Sequence, residues 1–164
     1  MYVTRLLKKY LLLGEQPILH EMAPNFNGVT SKGDAISLEQ LKGKVTIISV
    51  IPNINTPVCD MQTRAFNKQV SELNDVTLVT VAKNTPEEFN NWCASKGVDM
   101  IMLPDIEKNF GMAYGIVMDE LDVLARSVFV IDKEGILAYM EIVPKMTQEP
   151  DYEKALEVAK ELVG

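Results

Sequence analysis

Histidine occurs once and cysteine only twice in the 164 residues. Three such side chains cannot close a four-ligand structural zinc site, and no cofactor is expected. Two cysteines in a chain this long are too few for a secreted disulfide scaffold. Long apolar runs are missing as well. The leucines near the start are interrupted by Lys8-Lys9 and no A-x-A site follows, so neither a signal peptide nor a membrane span is expected. Positive charge is in deficit: 16 Lys and Arg face 23 Asp and Glu, for a net charge of −7 and a pI near 4.8. That balance argues against nucleic acid and anionic membranes as partners. Repeats, low-complexity tracts and Pro/Gly-rich linkers are also lacking, so one domain over 1–164 is expected. A cytoplasmic location follows as the default, where a lasting disulfide would be unusual and a transient catalytic one would not.

What is present is an ordinary globular balance, 47% hydrophobic and 24% charged. A chain of this size buries roughly 70% of its unfolded surface, enough for one core without covalent staples. Residues 1–30 read as extended segments, with a turn around Gly14-Glu15-Gln16-Pro17. Lys44–Ile51 is a β-branched, nearly continuous apolar run, the pattern of a strand buried on both faces. A Pro-framed loop, 52–57, leads into a helix predicted over about 58–73, with Phe66, Val70 and Leu73 on one face. Val76–Ala82 reads as a second buried strand.

Thr85-Pro86-Glu87-Glu88 predicts a helix start with a capping box, and Gly97 its end. That helix carries Phe89, Trp92 and Cys93 at i, i+3 and i+4. A strand near 100–103 and a helix near 106–114 follow. Strands at 127–131 and 136–143 are joined by Asp132-Lys133-Glu134-Gly135 as a hairpin. A last helix opens at Pro150-Asp151, with Leu156, Ala159 and Leu162 inward. From residue 44 the order is βαβα, an inserted segment, then ββα. This is a thioredoxin-like α/β plan: a mixed central sheet flanked by helices, with an N-terminal β extension. Functional residues are expected where strand 44–51 passes into its helix.

Cys59 lies at that junction, in the first turn of its helix. Unpaired backbone N–H groups and the helix dipole favour an anion there, and the thiolate is the nucleophilic form of cysteine. Asp60 is adjacent and opposes it as a like charge. The carboxylate is expected to turn to solvent, and a cation is needed to favour the thiolate. Taken one at a time, the residues have plainer readings. Cys59 and Cys93 could be inert core thiols, Thr56 a turn residue and Arg126 an exposed arginine. His20 is read as structural and the nine methionines as core filler.

Pro52-x-x-x-Thr56-x-x-Cys59 resembles the active-site pattern of the peroxiredoxins. The stretch Asn55-Thr56-Pro57-Val58-Cys59, with Thr63-Arg64-Ala65-Phe66-Asn67 after it, is similar to the bacterial thiol peroxidase subfamily, which are atypical two-cysteine peroxiredoxins. Trp92-Cys93, 34 positions beyond Cys59, resembles the subfamily's resolving motif. Leu124–Val130 is similar to the strand that carries its arginine, and Glu149–Glu153 to the start of its C-terminal helix. The likeness covers about residues 20–162. Asn55 stands where the family often has Asp, and Thr85 and Glu87 replace apolar residues usual around Pro86.

The resemblance implies a thiol-dependent peroxidase acting on hydrogen peroxide and organic hydroperoxides. Cys59 would attack the O–O bond and become sulfenic acid. Cys93 would then close an intramolecular disulfide, and thioredoxin would reduce it. Arg126 would be the missing cation, Thr56 would present its hydroxyl to thiolate and peroxide, and Pro52 would shape and shield the loop. A homodimer is implied too. Because Cys59 opens one helix and Cys93 lies about two turns into the next, the thiols are expected to be held apart in the reduced protein. Both segments would have to unwind before they join. A C-x-x-C oxidoreductase fits less well, since position 62 is Gln. A redox sensor or holdase using the same two cysteines, and a plain binding module with inert thiols, are the readings from other classes.

Overall fold

The computed structural model describes all 164 residues. In chain order the elements are β1 (Tyr2–Arg5), β2 (Lys8–Leu13), β3 (Asn27–Val29), β4 (Ala35–Ser37), α1 (Leu38–Leu41), β5 (Val45–Val50), α2 (Pro57–Ser71) and β6 (Val76–Ala82). They continue with α3 (Pro86–Lys96), β7 (Ile101–Pro104), α4 (Asn109–Ala113), β8 (Val117–Met118), β9 (Val123–Leu124), β10 (Ser127–Ile131), β11 (Leu137–Ile142) and α5 (Tyr152–Val163). No helix is long and apolar enough to cross a membrane.

The central sheet has the order β11-β10-β5-β6-β7. β5, β6 and β7 run parallel, while β10 is antiparallel to both β5 and β11. This is the mixed sheet of the thioredoxin-like plan expected from the order of elements. Every residue of β5 is buried, as a near-continuous apolar run in mid-sheet requires. Alternate side chains of the sheet serve two cores. Val45, Ile47, Val128 and Val130 pack under Phe66 and Val70 of α2 and Ala155, Leu156 and Ala159 of α5. Ile48, Val50, Val79, Val81 and Phe129 point the other way, toward Phe110, Tyr114, Met118 and the N-terminal strands. A smaller cluster joins Ile51, Ile54 and Cys59 to Phe89 and Trp92 of α3.

The capping box at α3 is formed as expected: Thr85 Oγ1 accepts from the Glu88 N–H, and the Glu88 carboxylate accepts from the Thr85 N–H. Gly97 closes that helix in the left-handed conformation, φ 67°. The helix expected over 106–114 is shorter, only Asn109–Ala113. Lys108 breaks it with a left-handed φ of 59°. The Asp105 carboxylate takes the N–H groups of Phe110 and Gly111, so the chain turns sharply before the helix begins.

The N-terminal extension is a hairpin, β1-β2, which turns at Leu6-Leu7 and continues through β8 and β9 as a four-stranded sheet. Two glycines let it approach closely. Gly14 (φ +90°) and Gly115 (φ +67°) sit where Cβ atoms would meet the Met112 carbonyl oxygen at 2.4 Å and the Gln16 nitrogen at 2.6 Å. Thr4 then brackets the loop after β11: its N–H donates to the Pro144 carbonyl, and its own carbonyl accepts from the Met146 N–H, both at 2.8 Å.

Candidate active site

The loop leaving β5 carries Pro52 and Thr56, and Cys59 falls at the third helical position of α2. Pro57 suits the first position because its missing N–H needs no partner there. The first intrahelical bond runs from the Asp60 N–H to the Thr56 carbonyl at 2.9 Å. The N–H groups of Val58 and Cys59 therefore lie ahead of the helical ladder, where an anion is favoured. Cys59 itself is 0% exposed.

Arg126, just ahead of β10, reaches the sulfur. Its Nη2 lies 3.5 Å from Cys59 Sγ. Arg126 is 3% exposed, and its guanidinium is held in a fixed frame. Nε and Nη2 donate to the Met146 carbonyl at 3.1 and 3.0 Å, and Nη1 donates to Gln62 Oε1 at 3.0 Å. Gln62 is anchored in turn, its Nε2 donating to Ser49 Oγ at 2.9 Å and to the Val50 carbonyl at 3.3 Å. The N-terminal hairpin contributes at one remove, since Thr4 grips the loop whose carbonyl orients the guanidinium.

Gln62 was not among the residues singled out from the sequence. A signal was available: a polar residue standing in the stripe Cys59, Phe66, Val70 has to find buried partners.

A cleft of about 490 Å³ opens over this centre, lined by Pro52, Thr56, Val58, Val123 and Arg126, with Arg5 from β1 at its edge. A second cleft, of about 510 Å³, lies on the other side of the α2 start, between Thr56, Pro57, Asp60 and the Trp92–Lys96 turn of α3. Pro52 is buried. Thr56 is exposed, and its hydroxyl donates to the Asn53 carbonyl at 2.8 Å rather than to the sulfur. Its lone pairs remain available to a donor in the cleft.

Asp60 differs from expectation. It does not turn to solvent: its side chain is only 17% exposed. One oxygen accepts from the Trp92 indole N–H at 2.9 Å, and the other from Arg64 at 2.9 Å. Lys96 lies 3.4 Å away. Burial alone would push this carboxyl up. The Trp92 and Arg64 hydrogen bonds and the two cations outweigh it and hold Asp60 below the usual carboxylate range. Its charge is thereby compensated by Arg64 and Lys96, which weakens its opposition to a thiolate next door.

Cys93 is free, as is Cys59. It is half-buried beside the backbone of Met100, with Lys32 nearby, and burial pushes its thiol up. In the folded helix it is thus a neutral thiol and a poor nucleophile at neutral pH. The loop before α2 is also tied to α3. Asn84 Oδ1 accepts from the Ile54 N–H at 2.9 Å, and its Nδ2 donates to Asn53 at 3.0 Å and Glu88 at 3.3 Å. Asn55 Nδ2 donates to the same Glu88 oxygen at 3.3 Å. An Asp at position 55, common in the resembled family, would set two carboxylates against each other here.

Residues 19–140 match the AhpC/TSA family model. A thiol peroxidase from Bacillus subtilis is 43% identical over 93% of this chain and 92% of its own length. The chain is a thiol peroxidase of the AhpC/TSA family. A thiol peroxidase from Halalkalibacterium halodurans is 41% identical over 91% of each chain. Among solved structures, a peroxiredoxin-like protein from Aquifex aeolicus superposes with a TM-score of 0.91 at 29% identity, over 98% of this chain and 96% of that one. The family likeness thus extends over nearly the whole chain, and the presence of two cysteines is consistent with an atypical two-cysteine mechanism.

Proposed function

We propose that Cys59 is the nucleophile toward hydroperoxides, that Cys93 resolves its oxidised form, and that Pro52, Thr56 and Arg126 complete the active site. The observation that carries this reading is the buried Arg126 guanidinium 3.5 Å from a buried cysteine sulfur at a helix start. A fixed cation beside the sulfur favours the thiolate and has its desolvation offset by four hydrogen bonds to groups around it.

The hydroperoxide enters the cleft against Pro52 and Val58, with the Thr56 hydroxyl accepting from the peroxide O–H. The thiolate attacks one oxygen, an S–O bond forms as the O–O bond breaks, and the second oxygen leaves as water or alcohol after taking a proton. Cys59 is left as sulfenic acid. Arg126 and the free N–H groups of α2 stand ready for the charge developing on the leaving oxygen, so no dipole has to reorient during the step. The apolar wall of Val58 and Val123 suits organic hydroperoxides as well as hydrogen peroxide.

Cys93 then attacks the sulfenic sulfur. An S–S bond forms, the S–O bond breaks, and the hydroxyl departs with the Cys93 proton as water. A thioredoxin-type dithiol returns both thiols, and in the same reading the protein is a cytoplasmic homodimer.

The test is turnover of Cys93→Ala. Sulfenic acid should still form at the parent rate, because Cys93 lies outside the cleft lined by Arg126. Peroxide-dependent oxidation of thioredoxin should fall by at least about tenfold, and excess peroxide should carry Cys59 to sulfinic acid. Cycling of this variant with thioredoxin at the parent rate would remove Cys93 from its role.

A further inference from the structure

The residue after Cys59 and the residue before Cys93 are hydrogen-bonded to each other. Asp60 Oδ1 accepts from the Trp92 indole at 2.9 Å. Trp92 is 6% exposed, with its ring in the cluster that contains Cys59, Phe89, Met100 and Met102. Neighbouring side chains on a helix diverge by about 100°, from 3.6 residues per turn. While the indole is held toward Asp60, Cys93 is therefore turned aside, and its thiol sits by Met100 and Lys32 instead. Asp60 is fixed on its own side by Arg64 and Lys96. The contact lies at the wall of a solvent-open cleft, so water can take over both partners once it breaks. The first turn of α2 is bordered by clefts on two sides, with Thr56 and Pro57 lining both. Cys59 is buried in that turn beside Arg126, while the turn's polar links toward α3 are this contact, the Lys96–Asp60 pair and the Asn55–Glu88 bond, with Asn84 tying the loop before it.

We infer that Asp60 and Trp92 are positioning residues for the second chemical step: their hydrogen bond holds the folded, peroxide-reactive arrangement and sets the rate at which Cys93 reaches sulfenic Cys59. The bond makes no contact with the peroxide cleft. Its strength therefore governs resolution, and with it the window in which a second peroxide can oxidise Cys59 further, without governing the first attack. A charge-assisted bond of this kind is worth roughly tenfold in an equilibrium between closed and open helix ends.

The inference rests on the two-cysteine reading. The chemistry it concerns is the step already balanced above, loss of water between the sulfenic acid and the Cys93 thiol.

Rapid-mixing experiments on Trp92→Phe, Asp60→Asn and the double variant test it. Sulfenic acid and disulfide are followed by quenched alkylation and mass. In the parent and in Asp60→Asn, the emission of Trp92, the chain's single tryptophan, gives a second trace. Trp92→Phe keeps an aromatic ring in the cluster while removing the donor. It should form the disulfide about tenfold faster than the parent and need about tenfold more peroxide for the same sulfinic yield. Its second-order rate with peroxide should be unchanged. Asp60→Asn, which keeps an acceptor but loses the charge, should lie between. The double variant should resolve no faster than Trp92→Phe, because both changes remove one and the same bond.

Resolution in Trp92→Phe within twofold of the parent would overturn the inference. So would a parallel loss of the peroxide rate, or a double variant equal to the product of the singles. Failure of the two-cysteine reading itself would show differently, as a parent protein that forms no disulfide at all.

Discussion

Cys59→Ser is expected to lose peroxide reduction below detection while keeping the fold. The position is fully buried, and the exchange replaces one heavy atom with another. The new hydroxyl would lie beside Arg126 Nη2, a ready donor, so no buried polar atom is stranded. Chemistry fares differently. A serine hydroxyl is scarcely ionised near neutral pH, and even one arginine does not make it a nucleophile toward an O–O bond. Circular dichroism should match the parent, and stopped-flow peroxide consumption should be absent. Retention of most of the turnover would take Cys59 out of the mechanism.

Arg126→Lys is the second large effect. The parent guanidinium makes four contacts at once: two to the Met146 carbonyl, one to Gln62 and one to Cys59. An ammonium on a flexible stem has three donors and no planar fork, so it cannot span Met146 and Gln62 while facing the sulfur. It would also leave the buried Gln62 Oε1 without its donor. The peroxide rate constant should fall by about 10²–10³-fold, the scale of losing one preorganised donor at a developing charge. The thermal midpoint should drop as well, because a buried polar network is left half-satisfied. A variant that reacts with peroxide at close to the parent rate would show that the arginine is a structural tie between β10, α2 and the 144–147 loop, and no more.

Much of this site could be read from the chain. The helix expected over about 58–73 is Pro57–Ser71, and the strand expected over 127–131 is found there. The capping box at Thr85 and Glu88 and the stop at Gly97 are local codes, written within a few residues of where they act. What escaped was non-local. Gln62 reads as a flaw in an apolar stripe until Ser49 and Arg126, 13 and 64 positions away, are brought beside it. Asp60 was expected in water because Arg64 alone of its partners is local, while the Trp92 indole and Lys96 sit on another helix. The strands β8 and β9 span two residues each, too short to show any period. Their partner is the N-terminal hairpin, whose docking depends on close approach at Gly14 and Gly115.

The hairpin also illustrates how fold and chemistry meet. Residues 1–18 carry no reactive group of the site, yet Thr4 holds the loop that presents the Met146 carbonyl to Arg126. The site is thus framed by α2, by the segment ahead of β10 and by the N-terminal sheet, and only the α2 part is continuous in sequence with Cys59.

The most direct test of the two-cysteine mechanism is the intact mass of the reduced protein after one equivalent of peroxide, followed by a non-reducing digest. The account predicts loss of two hydrogens and a peptide linking Cys59 to Cys93. An unchanged mass, or a stable gain of oxygen with Cys93 still free, would contradict it.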